Sequence, residues 1–304
     1  FILFSFGMLS VVSSAYMPTS DAALPNVVDK EYLAEANVIF FSSWGIMAGL
    51  GAGIGGYLTT VISREMLFTV DFLTFVISAF IVFSIKKDLS ENKSTESNED
   101  TINFVDGIKY VLSKKEILSL VITKATFSIS ASGLLSLFTV LSYEIYKTGD
   151  FGTGLMFGAR GIGALIGPIV IRYFFGSTDG KLLNTIGITI MAWVLFYFFI
   201  PFSTSVYITV FLLILGHSGG GSQWAFSTYG LQVITPDKLR GRIAGIDYSL
   251  YFFMNTISTL LIGYLATVYG VLFVFKLFPV IGFIFGFLWY LTTRKIWKNL
   301  DLNN

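Results

Sequence analysis

The sequence predicts an all-α membrane protein, a bundle of transmembrane helices. Three observations carry that reading. Of the 304 residues, 54% are hydrophobic, 17% aromatic and only 13% charged, with a mean hydropathy of +0.74. A soluble domain carries about 25% charged residues, and a globule this long needs them to cover its surface. The apolar residues fall in runs of about twenty, the length that crosses a hydrocarbon core of ~30 Å at ~1.5 Å per residue, and not in the alternating tens of an outer-membrane barrel. The cations are also placed very unevenly between the two ends of those runs.

Nine such stretches follow one another: Phe1–Leu24, Asn37–Ile62, Met66–Ile85, Glu116–Tyr143, Gly152–Phe175, Leu182–Phe202, Val206–Val233, Ile243–Val268 and Val271–Thr293. Each must be helical in lipid, because only hydrogen bonds within the segment satisfy its backbone there. If the first stretch runs inward, the inner segments hold fifteen Lys and Arg residues and the outer ones only Arg64 and Lys147. That asymmetry predicts a cytoplasmic carboxyl end; a plasma-membrane location is the expectation that goes with the transport function below. Lys124, Arg160 and Lys276 fall inside the stretches themselves. The chain opens within an apolar run on Phe1, with no basic leader, so the expectation is a cut through a longer protein.

Residues 86–115 form the one polar connector. Asp88–Asp100 is low in apolar content and reads as flexible. From Thr101 to Ser113, Ile102, Val105, Ile108 and Leu112 recur at helical spacing, which predicts a short amphipathic helix on the inner membrane face. The connector separates three stretches (1–85) from six (116–304). Asp29–Asn37 and Asp237–Gly245 echo each other across it, each opening a span soon after a proline (Pro25, Pro236). Paired helical bundles joined by a cytoplasmic loop are a transporter pattern.

Several residue groups carry a family resemblance. They are Leu24-Pro-Asn-Val-Val-Asp-Lys-Glu-Tyr-Leu-Ala-Glu-Ala-Asn37, Phe68-Thr-Val-Asp71 and the apolar residues after it, Gly161-Ile-Gly-Ala-Leu-Ile-Gly-Pro168, and Pro236-Asp-Lys-Leu-Arg-Gly-Arg242. With these the chain resembles the major facilitator superfamily, in particular its macrolide and drug-efflux (drug:proton antiporter) branch. The antiporter glycine motif has a degenerate match, Gly51-Ala-Gly-Ile-Gly-Gly56, with Ala52 where a proline is expected. The resemblance implies a facilitator-type bundle with nine of twelve transmembrane helices present, the fourth to the twelfth.

Independently of family, Gly45, Gly49, Gly53 and Gly56 share a helix face, as do Gly154, Gly158, Gly161, Gly163 and Gly167. Such rows let helices approach closely. They suit static packing and rocking between states equally.

Enzyme chemistry is not expected. Gly51–Gly56 fits a dinucleotide fingerprint in letters only, since that motif needs a preceding strand. Gly176–Leu182 is one spacer short of a P-loop and ends in Leu where Ser or Thr would hold Mg²⁺. One His and no Cys leave neither a zinc site nor a nucleophile with its base. With 20 Lys and Arg against 19 Asp and Glu, no basic field for nucleic acid exists. No cofactor is expected.

Ionisable groups inside spans are expensive and mark function. By depth, Lys124, Arg160 and His217 lie near the midplane and are candidate cavity residues, with Gln223, Asn255, Trp193 and Trp224 behind them. Asp21, Asp71, Arg240, Arg242 and Asp247 are candidate membrane-charge or gate residues. Asp21 and Asp247 are expected to latch the Arg240–Arg242 segment, as gate charges do in the resembled family. Asp71 is expected to make an interhelical bond.

The function expected is secondary active transport by a monomer, proton-coupled efflux of an amphipathic drug or metabolite by alternating access. An importer or lipid-type transporter of the same fold, or a non-transporting membrane sensor or assembly protein, remain alternatives.

Overall fold

The structure is a computed structural model that describes residues 2–85, 104–176 and 178–298. Lys86, Lys87, Lys93 and the polar Asp88–Asp100 connector lie outside the described residues. The described chain is helical from end to end: α1 (Ile2–Ala23), α2 (Leu33–Val61), α3 (Arg64–Phe83), α4 (Phe104–Ser113), α5 (Lys115–Ile145), α6 (Gly149–Phe175), α7 (Asp179–Phe199), α8 (Val206–Ile234), α9 (Asp237–Tyr269) and α10 (Val271–Lys298). Every apolar stretch read from the sequence falls on one of the nine long helices, and α4 occupies the end of the connector.

Seven helical stretches among the described residues are long and apolar enough to cross a membrane by length and composition alone. α1 and α8 lie outside that set. In α8 the run Gly216-His-Ser-Gly-Gly-Gly-Ser-Gln223 dilutes the apolar content.

Local chemistry sets the helix ends. Ser63, Thr178 and Ser205 accept backbone N–H bonds at the starts of α3, α7 and α8, the N-cap role of short hydroxyl residues. α9 ends at Gly270, whose φ of 87° lies in the left-handed region that glycine tolerates. The Gly51–Gly56 run lies inside α2 with no strand before it, so the dinucleotide reading is excluded by the fold.

α5 is not a uniform α-helix. It contains two π-helical turns, Ser128–Ser132 and Leu141–Ile145. The first is held against α9: Ser128 Oγ donates to Tyr251 O (3.1 Å) and Ser258 Oγ donates to Ile129 O (3.2 Å). Wide turns of this kind concentrate at functional sites.

α4 packs through Gly107 and Val111, with Gly107 against Ile246 and Arg242 of α9. Phe104, Val105, Ile108 and Leu112 remain exposed along its other side. The described residues are helical from Phe104; Thr101 and Ile102, where the expected helix begins, lie outside the described residues.

Two apolar cores lie along the bundle. One gathers Leu33, Ala34 and Val38 of α2 with Leu120, Leu183, Phe226, Leu239 and Trp297, so it spans both sides of the connector. The other gathers Phe138, Met156, Trp193, Tyr197, Leu213, Ile262 and Phe275, all from α5 to α10. Among the described residues, the apolar core shared by the two sides of the chain therefore lies at one end of the bundle. That end carries most of the cations.

The glycine rows divide between neighbours. A Cβ on Gly45 would meet Leu165 N at 2.7 Å and one on Gly161 would meet Gly49 N at 2.6 Å, so α2 and α6 touch backbone to backbone. Gly163 and Gly167 face α8 instead, at Ser218. Gly51, Gly55, Gly154 and Gly158 have nothing within 4 Å of their would-be Cβ atoms. The α2–α6 contact thus runs through Gly45, Gly49 and Gly161, and a Cβ on Gly49 would also stand 3.6 Å from Gly158 O.

Candidate functional site

Three polar assemblies occupy the bundle interior. The first is built on α5 and α9. Lys124 stands nine residues into α5 and Asp247 ten residues into α9, which brings them to the same depth, ~14 to 15 Å from the helix starts. Lys124 Nζ donates to Asp247 Oδ2, and both side chains are 1% exposed. The ammonium also lies over the rings of Tyr248 (4.8 Å) and Trp224 (5.2 Å). From α1, Asp21 Oδ2 accepts from Tyr248 Oη at 2.8 Å. The group holds two carboxylates and one ammonium, one negative charge in excess when both acids are ionised.

A small cavity of about 20 Å³ opens beside this group, lined by Asp21, Lys124, Thr228, Gln232, Arg240 and Asp247 among others. Asp247 Oδ1 and Thr228 Oγ1 have no hydrogen-bond partner among the described residues. A space of ~10–15 Å³ admits one water, and water is the usual partner for buried polar atoms of this kind.

The second assembly joins the segments before and after the connector. Asn37 Nδ2 of α2 donates to Gln232 Oε1 of α8 (2.6 Å), and Gln232 Nε2 donates to the carbonyl of Asp21 (2.7 Å). Glu35 of α2 pairs with Arg172 of α6. Arg240 of α9 reaches Asn26 Oδ1 at 3.4 Å. Together with Asp21–Tyr248, these bonds all lie at the end of the bundle where the shared apolar core lies. Nearer the middle, Ser42 Oγ donates to Leu165 O at 3.1 Å.

The third assembly lies near the midplane. Arg160 is eleven residues into α6 and His217 eleven residues into α8, each ~17 Å from its helix start. Arg160 Nε donates to His217 Nε2 at 3.0 Å. A ring nitrogen that accepts carries no hydrogen, so His217 is the neutral tautomer with its proton on Nδ1. That nitrogen lies 3.2 Å from Tyr197 Oη. The guanidinium carbon lies 5.9 Å from the Trp44 ring centre and 5.6 Å from that of Phe157.

The expected site residues are therefore divided among these assemblies. Lys124, Asp247 and Asp21 come together; Arg160 and His217 come together. Of the latch expected between the Asp21 and Asp247 acids and the Arg240–Arg242 segment, Arg240 lines the same cavity as both acids. Arg240 pairs with Asp237 one turn away, and Arg242 Nη1 donates to Lys238 O. Asp247 sits one to two turns above the arginines, opposite Lys124, with which it pairs.

Gln223 ties helices together, accepting from Trp193 Nε1 (3.0 Å) and donating to Thr123 O (2.6 Å). Trp193 is likewise buried in the apolar core. Asn255 is half-buried on α9 and makes no side-chain hydrogen bond among the described residues. Asp71 stands exposed on α3 and its carboxylate makes no bond or ion pair among the described residues, so the interhelical bond expected of it is not formed there. Sequence reasoning missed Asn37, Gln232, Glu35, Arg172 and Tyr248. Gln232 had a signal, being an amide within an apolar span. Tyr248 had none, because aromatic residues fill such spans throughout.

Residues 1–257 match the sequence profile of the Major Facilitator Superfamily. The chain belongs to that superfamily. It is similar to YkuC of Bacillus subtilis, described as an uncharacterized facilitator-type transporter, at 26% identity over 84% of this chain and 61% of that protein. It is 24% identical to the putative bacilysin exporter BacE of Bacillus amyloliquefaciens, over 69% of this chain and 52% of BacE. The chain thus spans between half and two thirds of the length of these curated relatives.

Among solved structures, the E. coli fucose:proton symporter FucP aligns with a TM-score of 0.61 at 12% identity, over 90% of this chain and 73% of FucP. A bacterial homologue of the iron transporter ferroportin, in an outward-facing state, aligns with a TM-score of 0.61 at 18% identity, over 91% of this chain and 66% of that one. At such identities the likeness is one of fold. The superfamily's members are membrane transporters for small molecules and not enzymes, and the all-helical bundle belongs with them.

Proposed function

We propose that this superfamily chain serves proton-coupled export of amphipathic small molecules across the plasma membrane by alternating access. In this reading the cation-rich end, α4 and the carboxyl end face the cytoplasm. The domains are then the three helices of 1–85, the connector 86–115 and the six-helix bundle 116–304.

The supporting observation is the one-sided closure between the segments flanking the connector. Their polar bonds (Asn37–Gln232, Asp21–Tyr248, Glu35–Arg172) and shared apolar core lie at one end. On α6, Gly158 and Gly154 have nothing within 4 Å of their would-be Cβ atoms. Ties between the two sides at the inner end belong to one of the two poses that alternating access requires. Hydrogen bonds and glycine contacts, each modest in energy, are suited to breaking and re-forming between such poses.

Proton coupling is assigned to the Asp21–Lys124–Asp247 group. Its members face one another from α1, α5 and α9, with Tyr248 and Arg240 of α9 the other titratable groups around it. One proton neutralises its excess negative charge. Asp21 belongs to one side of the closure and Lys124, Asp247 and Tyr248 to the other, so a proton there alters the attraction that holds the inner end shut. The export direction and amphipathic cargo rest on the likeness to BacE, named a putative exporter, and on the aromatic interior around Trp224, Tyr248 and Tyr251.

The test is dye transport by the full-length protein in inside-out vesicles, with and without a protonophore. Accumulation that collapses with the proton gradient is expected. Accumulation indifferent to the protonophore removes the coupling, and dye movement out of such vesicles reverses the direction.

A further inference from the structure

We infer that Arg160 receives an oxyanion of the cargo, so that the molecules carried are amphipathic anions or zwitterions whose charged end docks at the midplane. This inference rests on the transport reading above and names the class of substrate.

Lys124 is paired with Asp247, Arg172 with Glu35 and Arg240 with Asp237. Arg160, half-buried at mid-depth, has no carboxylate in ion-pair range among the described residues. A cation at that depth is costly unless it is paired or wet. Its flanking rings do not replace an anion, since a cation–π contact contributes ~0.5–2 kcal/mol.

What Arg160 does have is orientation. His217 accepts from Nε and is itself seated against Tyr197. One edge of the guanidinium is thereby tied to the protein, while its two terminal nitrogens make no hydrogen bond to a described residue. Trp44 of α2 and Phe157 of α6 border it. A planar fork fixed along one edge and framed by aromatic surface is the arrangement that takes two oxygens of a carboxylate or phosphate side by side. The rings supply apolar surface for the rest of an amphipathic molecule.

The position fits as well. Arg160 adjoins Gly161, where α2 and α6 close on each other, and lies just below Gly158 and Gly154, which face open space. Trp44 and Arg160 belong to opposite sides of the connector, so an anion on Arg160 lies beside the surface along which the two sides part.

The test uses full-length protein in phosphatidylcholine nanodiscs and a matched pair of probes, a dansyl-labelled amino acid and its methyl ester, read by dansyl fluorescence anisotropy. The pair differs only in the carboxylate. Wild type is expected to bind the acid about tenfold or more tightly than the ester, the worth of a charge-assisted hydrogen bond. Arg160→Gln is expected to remove that preference without weakening ester binding. Arg160→Lys, which keeps the charge but not the fork, is expected to retain part of it. The wild-type comparison needs no variant to fold. Equal affinities, no binding of the acid, or a preference that survives Arg160→Gln each overturns the assignment. Loss of proton-driven transport with the acid preference intact would overturn only the coupling.

Discussion

Lys124 of α5 and Asp247 of α9 form a fully buried ion pair, and beside it among the described residues lies a further carboxylate, Asp21, from the far side of the connector. The pair ties α5 to α9, while Asp21 reaches it from α1 through Tyr248. Packing within one bundle and closure between the two sides thus share a single set of charges.

Breaking the pair from one side is expected to be severe. Lys124→Met or Asp247→Asn leaves an unpaired buried group and should cost about 3–5 kcal/mol. The double variant, with neither charge, should recover most of that loss. Thermal unfolding of the purified protein measures all three. Additive losses in the double variant would show that the two residues do not act on each other.

Asp21 carries a different expectation. Asp21→Asn keeps the hydrogen bond from Tyr248 within reach but removes the excess negative charge, leaving Lys124 and Asp247 balanced. Transport by this variant should lose its dependence on pH between 5 and 8 (a range set by the assay, roughly that of histidine-type switches) while binding of cargo persists. A pH profile identical to wild type would remove Asp21 from the coupling.

The Asn37–Gln232–Asp21 bonds should bias the closure. Gln232→Leu removes two hydrogen bonds across it, about 1–3 kcal/mol in total, or roughly tenfold in the population of the form open at the cation-rich end. The chain has no native cysteine, so a single Cys placed at Thr235 reports access cleanly. Its labelling by a membrane-impermeant maleimide from that face should rise in the Gln232→Leu background. An unchanged rate would mean that these bonds do not hold the closure.

Glycine size should matter at the closure and not beyond it. Gly45→Leu drives side-chain atoms into the α6 backbone, where even a Cβ would stand 2.7 Å from Leu165 N; overpacking of this kind costs about 1–3 kcal/mol. Gly154→Ala meets nothing within 4 Å and should be neutral for folding and transport. Folded yield and vesicle transport compare the two. Equal behaviour would contradict the α2–α6 contact.

Much of this architecture is legible in the residues. The apolar runs delimit nine long helices to within a few residues because lipid leaves the backbone no alternative to the helix. Glycine spacing marks the close approach of α2 and α6, although not which glycines of the same row turn to α8. Lys124, Arg160, His217, Asp21 and Asp247 stand out because charge is rare in such runs. The glutamate and arginine that pair across the inner end, Glu35 and Arg172, do not stand out, since charges at helix ends are ordinary.

What the sequence by itself determines is a set of helices, their length and the depth of each polar residue along them, all of which follow from hydrogen bonding and burial within single segments. Which side chains meet was decided only in three dimensions. Lys124 and Asp247 are separated by 123 residues, and the rotation of α5 and α9 about their axes, which faces one toward the other, is set by the packing of every neighbouring helix. The same packing leaves Arg160 with a histidine and no acid, a difference from Lys124 that composition and depth do not contain.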